Sequence, residues 1–365
     1  MALSGLFGGV YAGRRVLVTG HTGFKGSWLA SWLSGMGAQV AGLALDPDTD
    51  PSHWAALNLK DVADHRIDLR DPVAVSGLLQ GFRPEIVFHL AAQPLVRRSY
   101  REPTSTFDSN VMGLINLLEA VRACPSVRVL VNATTDKVYE EHVGHDGYRE
   151  TDPLGGHDPY SSSKACAEIV SACYRKSFFQ HDDGRGCAMR LATARAGNVI
   201  GGGDWAEDRL VPDLIRAASS GQSLRIRNPA AKRPWQHVLE PLSGYLRLGQ
   251  ALLDSEHYAG AWNFGPGSDG ELFVQELITR FADAVPALRV EHDQQAHPHE
   301  AAVLRLNCDK ALQELQWHSV WTIGTAVERT SAWYRSFQAS GELQSGSDIA
   351  RYVADARSQR LGWAI

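Results

Sequence analysis

Three features of the 365-residue sequence predict an α/β fold: a doubly wound parallel sheet accompanied by a smaller, mixed α/β lobe. Short β-branched or apolar runs alternate with helical apolar spacing as far as Arg190-Leu191-Ala192, the pattern of a parallel sheet covered on both faces. A glycine-rich turn joins the first run to the first helix. Beyond Ala192 the composition becomes loop-like, and the chain is too long for one small domain, so a second lobe should begin near Thr193. The expected division is a first lobe over 1–193, with 235–264 crossing back to it, and a second lobe over 194–234 and 265–365. No internal repeat, low-complexity tract or flexible linker intervenes, so the lobes should close on one cleft.

Taken in order, Arg15-Val16-Leu17-Val18-Thr19 reads as a strand, Gly20-His21-Thr22-Gly23-Phe24-Lys25-Gly26 as a tight turn, and Ser27 to Leu33 as a helix. Glycines spaced by three let the backbone approach a pyrophosphate held at the helix N-terminus, the Rossmann-type arrangement for a dinucleotide. A second strand, Gln39 to Leu45, ends at Asp46, where a carboxylate could accept bonds from an adenosine ribose and favour NAD over NADP. The plainer reading of Asp46 is a solvated loop carboxylate beside Pro47, and Lys25 and Arg70 keep NADP open. Asp68-Leu69-Arg70-Asp71 leads into a helix; Glu85 to Leu90 is a buried strand ending at Ala91-Ala92-Gln93, small enough to pack against a cofactor. Phe107 to Cys124 predicts a long amphipathic helix, Val127 to Ala133 a strand and Tyr160 to Phe179 another long helix.

The chemistry concentrates at Val131-Asn132-Ala133-Thr134-Thr135-Asp136-Lys137, where an apolar strand ends in hydroxyls, a carboxylate and an amine. Ligands of such sheets bind beyond the carboxyl ends of the strands. Tyr160 and Lys164 lie one helical turn apart on one face, so the ammonium could lower the phenol's pKa and make it a base, with Thr135 steadying the hydroxyl being oxidised. Hydride transfer needs neither Asp136 nor Lys137. Elimination needs an acid and a base, and these two supply both; the plainer alternative is an exposed strand-end ion pair. Arg195, Asn198, Arg209, Arg225, Arg227 and Arg233 form a loose polar and basic series suited to a diphosphate. Trp205, Trp235 and His237 could shape a base pocket or fill core. His297-Pro298-His299-Glu300 lacks the helical i, i+4 histidine pair of a zinc protease, so no metal is expected, and no Gly-x-Ser-x-Gly elbow follows a strand.

A net charge of −5 and a pI near 6.3 argue against a polyanion-binding surface, so nucleic acid is not an expected partner. The five cysteines, Cys124, Cys166, Cys173, Cys187 and Cys308, show no zinc spacing and read as reduced thiols. Met1 to Tyr11 carries neither a basic leader nor a long apolar run, which predicts a cytoplasmic protein with no membrane association.

These residues closely resemble the extended short-chain dehydrogenase/reductase family, in its nucleotide-sugar dehydratase and epimerase branch. The resemblance rests on the glycine turn with Ser27-Trp28, on His89-Leu90-Ala91-Ala92-Gln93-Pro94-Leu95-Val96-Arg97, on Thr135-Asp136-Lys137 and on Tyr160-Ser161-Ser162-Ser163-Lys164. In the second lobe it rests on Arg195 to Trp205, Arg233 to Pro241 and His297 to Ala301. It implies an internal redox cycle with NAD on CDP-glucose. Tyr160 would take the C4 proton, supported by Lys164 and Thr135, and Lys137 the C5 proton, while Asp136 protonates the departing C6 hydroxyl. The product would be a 4-keto-6-deoxy sugar for deoxysugar synthesis, as in lipopolysaccharide O-antigens. The dTDP-sugar relatives carry Asp-Glu where this chain has Asp136-Lys137, which points to the CDP branch.

The resemblance further implies cofactor contacts from Gly20, His21, Gly23, Phe24, Lys25, Gly26, Asp46, Asp68, Leu69, Leu90, Ala91, Ala92, Gln93, Tyr160 and Lys164. It implies substrate contacts from the basic series and His237, and a homodimer or dimer of dimers. Glu141 and Arg98 depart from the family pattern. A 4-epimerase would share Tyr160 and Lys164 without needing Asp136 and Lys137; a non-catalytic dinucleotide-binding protein would be expected to have lost part of the set.

Overall fold

The computed structural model describes residues 3–141, 147–179, 189–284, 288–293 and 304–365. The strands β1 (Arg15–Thr19), β2 (Gln39–Ala44), β3 (Val62–Arg66), β4 (Ile86–His89), β5 (Val129–Ala133) and β6 (Arg190–Ala196) all pair in parallel, in the order β6-β5-β4-β1-β2-β3. The reversal falls at β1, whose neighbours β2 and β4 lead to opposite halves. Crossovers between parallel strands need helices, and here these are α1 (Phe24–Gly35), α2 (His53–Leu57), α3 (Pro72–Phe82), α4 (Val96–Arg101), α5 (Pro103–Phe107), α6 (Gly113–Arg122) and α7 (Pro159–Tyr174).

Local sequence explains where these helices start. Asp71 caps α3 by accepting from the amides of Val73 and Ala74, with Pro72 in the first turn; Asp158 does the same for α7 through the Ser161 amide at 3.0 Å, followed by Pro159. The long helix expected over Phe107 to Cys124 is interrupted by a π turn at Asp108–Met112. That turn brings Asn110 inward, where its amide bonds the backbone of Gln93 and donates to Ser163 Oγ at 2.8 Å.

The second lobe holds β7 (Asn198–Ile200), α8 (Leu210–Ser220), β8 (Ser223–Ile226) and β9 (Lys232–His237). The chain then returns through α9 (Leu239–Asp254), which packs on β5 and β6, and β10 (Ala261–Phe264), which adds to β6 as the seventh parallel strand. It leaves again as β11 (Glu271–Phe273), α10 (Val274–Ala284), β12 (Arg289–His292) and α11 (Asp309–Leu315). β9 pairs with β7 and β11, so residues 235–237 belong to the second lobe and the crossing starts only at Leu239.

Of the last helices, α12 (Ile323–Ser340) packs on β9, β7 and α10 of the second lobe, whereas α13 (Ser345–Ser358) and the residues after it reach back to the first. Trp363 stacks on Phe7 with ring centres 5.0 Å apart, Trp32 meets Tyr352 edge-on, and His53 Nε2 lies 2.7 Å from Ser345 Oγ. Burying each such ring contributes about 2–3 kcal/mol, which outweighs any preference of the C-terminus for its sequence neighbours. Among the described residues no helix is long and apolar enough to cross a membrane, and Cys124, Cys166, Cys173 and Cys308 are unbridged. Cys187 and the His297 to Ala301 segment lie outside the described residues.

Candidate active site

The glycine turn fits a dinucleotide by shape. Gly20 has φ +75°, and a Cβ there would stand 2.7 Å from the Ala91 amide nitrogen; a Cβ on Gly26 would stand 2.0 Å from the Gly20 carbonyl oxygen. These two glycines let strand, turn and helix pack together. Gly23 caps α1 with no side-chain bond to the first-turn amides, and a Cβ there would meet only the Gly20 carbonyl oxygen, at 3.4 Å, which leaves the helix N-terminus available to an anion. Thr19 Oγ1 accepts from the amides of Leu90 and Ala91, both at 3.2 Å, and so fixes the end of β4 beside the turn.

Other candidate cofactor residues divide by what holds them. The Asp46 carboxylate is 90% exposed at the end of β2, 3.6 Å from Arg66, whereas Asp68 is clasped by Arg70 at 2.6–3.0 Å. Leu69 is buried and its carbonyl accepts from Asn116. Phe24 packs partly into the core near Gly201. Gln93 uses its amide on Thr106 and on Leu95, and so shapes its loop. His21 departs from expectation: its ring is buried over Gly42 and bonds Asp64 at 2.9 Å, so only its backbone remains for a phosphate.

In the second lobe Arg209 bonds Asp204 at 3.0 Å and faces the Tyr160 phenol electrostatically, while Asn198 Oδ1 lies 3.5 Å from Lys137 Nζ. Arg233 is buried and donates to the Lys232 carbonyl; Arg227 bonds Asp208; Arg225 is exposed on β8. Two expected substrate residues serve the interior instead. His237 is 1% exposed between Trp28 and Trp321, accepts from the Leu239 amide and is pulled down to about 3 by burial, so it is a neutral core histidine. Arg195 is spent on Glu168, with Nε and Nη2 on the two carboxylate oxygens at 3.0 and 2.9 Å and both side chains 3% exposed. A guanidinium so engaged has no free edge for a diphosphate.

The strand-end residues converge. Thr135 starts a short 3₁₀ turn over Asp136–Val138, accepting from the Lys137 amide and donating to Asp136 Oδ1 at 3.1 Å. Lys137 Nζ lies 3.2 Å from that same oxygen, and Asp136 Oδ2 is buried with no partner. A Cβ on Gly197 would come within 3.2 Å of Oδ2, so the glycine keeps room beside it. Burial pushes the Tyr160 phenol up to about 12, opposed by its hydrogen bond with Thr135 and by the Arg209 charge. Arg209 is thus one cation that acts on the phenol. Lys164 is pulled down to about 8 by burial, with Glu168 opposing, and donates to the Ala133 carbonyl at 3.0 Å. Lys25 is pulled down to about 7 by burial and the Arg209 charge, with Asp136 opposing, which places it among the same groups.

Residues 17–330 match the family model described as GDP-mannose 4,6 dehydratase. The chain belongs to this family. It is 47% identical over 335 residues to the CDP-glucose 4,6-dehydratase of Salmonella typhimurium, covering 89% of this chain and 92% of that protein. Among solved structures, an epimerase from Methanothermobacter thermautotrophicus superposes with a TM-score of 0.80 at 23% identity, over 90% of this chain and 94% of that one, which speaks to the fold. The UDP-glucose 4-epimerase of Thermus thermophilus, solved in complex with NAD, gives 0.73 at 27% identity over 88% and 99%.

Sequence reasoning missed Glu168 and Arg97. Glu168 stands one turn beyond Lys164 on the face that carries Tyr160, and that spacing was the available signal. Arg97, the last residue of the His89 to Arg97 stretch, reaches Asp208 of the second lobe at 2.8 Å, a pairing the sequence does not show.

Proposed function

We propose that this chain is an NAD-dependent CDP-glucose 4,6-dehydratase, converting CDP-glucose to CDP-4-keto-6-deoxyglucose and water. The observation that carries the reading is the Asp136–Lys137 pair, one carboxylate oxygen unpartnered and buried, set beside Tyr160, Thr135 and Lys164. The relative with 47% identity supports the choice of substrate.

Gly20, Gly23 and Gly26 would hold the NAD pyrophosphate at the N-terminus of α1, with Ala91, Ala92 and Lys164 toward the nicotinamide half and Asp46 toward the adenosine ribose. Bound there, NAD would supply a hydride acceptor for C4 and, once reduced, a hydride donor for C6. Tyr160 acts as the phenolate, having first given its own proton to solvent opposite the Arg209 charge, and takes the C4 hydroxyl proton, with Thr135 aligning the hydroxyl. Shifting the proton shared by Lys137 and Asp136 leaves an amine and a carboxylic acid. The Lys137 amine then takes the C5 proton, and Asp136 protonates the C6 hydroxyl as the C6–O bond breaks and water leaves; as hydride reaches C6, the Lys137 ammonium, whose proton exchanges with solvent, gives a proton back to C5. Asn198, Arg209, Arg227 and Arg233 are the candidates for the diphosphate and ribose, Arg225 being the most exposed of the basic series.

A homodimer goes with this reading, since Ile169 of α7 and Phe107 and Met112 at the π turn packed against it leave apolar area exposed. The cytoplasm is the compartment it fits. Product identification after incubation with NAD and CDP-, dTDP-, GDP- or UDP-glucose tests the reading. A 4-keto-6-deoxy product, fastest from the CDP sugar, is expected; clean CDP-galactose would make the protein an epimerase.

A further inference from the structure

One face of α7 is fastened to the end of β5 along its length. Tyr160 hydrogen-bonds Thr135, Lys164 Nζ donates to the Ala133 carbonyl at 3.0 Å, and Glu168 accepts from Thr134 Oγ1 at 2.5 Å. These three helix residues recur every four positions, so three turns of α7 together grip residues 133–135 at the strand exit. Glu168 also accepts from Thr193 Oγ1 of β6 at 2.7 Å and from Arg195 through two nitrogens.

Arg195 completes the arrangement from the other side. Its Nη1 donates to the Tyr139 hydroxyl at 2.8 Å and to the Glu150 carbonyl at 3.2 Å, and Tyr139 in turn donates to Asn263 Oδ1 at 2.7 Å. Thr134 immediately precedes the segment Thr135 to Val138, and Tyr139 immediately follows it. One buried ion pair therefore holds both ends of the turn that carries Thr135, Asp136 and Lys137. The same pair is anchored on the helix that carries Tyr160 and Lys164. Taking two charges out of water is costly, and a pair that only filled space could be replaced by apolar side chains at little loss.

From this bracketing we infer that Glu168 and Arg195 are positioning residues, which set Asp136 and Lys137 against Tyr160 and Lys164 without touching substrate. The inference rests on the function proposed above. The carboxylate fixes the near end of the turn through Thr134, and the guanidinium fixes the far end through Tyr139. Displacing a reacting group by about 1 Å costs on the order of 100-fold in rate.

Removing either charge leaves its partner buried and unpaired and threatens folding, so the deciding variants cut the two grips and leave the pair intact. Thr134→Val removes the hydroxyl at one end and Tyr139→Phe the hydroxyl at the other. Each should lower kcat on CDP-glucose by about tenfold or more while KM stays within about twofold. Backbone amide exchange of residues 135–138 should rise in both variants. A kcat within about twofold of wild type in both, with unchanged exchange across 135–138 and at most a lower Tm, would overturn the inference and make the pair purely structural. A wild-type protein without turnover on any of the four nucleotide sugars would sink the function instead, and the exchange measurement would still decide whether the pair holds the turn.

Discussion

Lys137 Nζ and Asp136 Oδ1 stand 3.2 Å apart at the end of β5, and the other Asp136 oxygen is buried without a partner. Neighbours in sequence at a strand end often diverge, one inward and one outward. Here the 3₁₀ turn begun by Thr135 bends the backbone so that both side chains meet, and Asn198 of the second lobe closes on Lys137. In the proposed elimination one member of the pair takes the C5 proton and the other gives one to C6.

Lys137→Ala should therefore separate the steps. Oxidation at C4 needs Tyr160 and Thr135 and should persist, whereas loss of the general base should slow elimination by about 10²- to 10⁴-fold. Exchange of the C5 hydrogen with solvent deuterium, followed by NMR, reads the proton step directly; unchanged exchange would remove Lys137 from it.

The alkaline side of the activity profile should reflect Lys164. Burial pulls this ammonium down to about 8, so kcat should fall as pH rises through about 8 if the charged form supports catalysis. Stability responds with the opposite sign. The unfolded chain keeps its lysine protonated up to the ordinary 10.5 while the folded chain does not, so the contribution of this group to stability rises with pH between those values. A kcat profile and a Tm series over the same buffers, each compared with Lys164→Met, check both directions.

Acid should unfold the protein early, through buried histidines. His53, His89 and His237 are each pulled down to about 3 by burial. Below the ordinary imidazole value of 6.5 the unfolded chain binds these protons and the folded chain does not, so stability is present above that value and drains away as pH falls toward 3. Urea unfolding between pH 7 and 5 should reveal up to about three protons taken up from these residues.

Gly197→Ala should damage the site without replacing a reacting group. The added carbon would lie 2.6 Å from Pro234 Cγ and 3.1 Å from the Pro234 carbonyl oxygen, which have little freedom to retreat, and 3.2 Å from the unpartnered Asp136 oxygen. About 100-fold in kcat is expected. Steady-state kinetics on the purified variant, with Tm as a control, measures it.

Much of this was legible in the sequence because the physics is local. Gly20, Gly23 and Gly26 follow a β-branched run directly, Tyr160 and Lys164 sit one turn apart, and the strand end carries its hydroxyls and charges in plain view. The misreadings concern partners distant in sequence. Arg195 looked available because its carboxylate, Glu168, is a whole helix and strand away. His237 looked like part of a base pocket, and only the placement of Trp28 and Trp321 makes it core. The return of α13 and Trp363 to Phe7 and Trp32 depends on aromatic burial between the two ends of the chain, which no periodicity within either end reveals.

CDP-glucose deuterated at C4 puts the central claim to the test, with NAD in ordinary water and the product read by NMR and mass spectrometry. An internal dehydratase cycle predicts the deuterium at C6 of a 4-keto-6-deoxy sugar, with a solvent hydrogen at C5. Deuterium retained at C4 of a hexose with inverted configuration would contradict it, because a hydride returned to C4 leaves no elimination for Asp136 and Lys137 to perform.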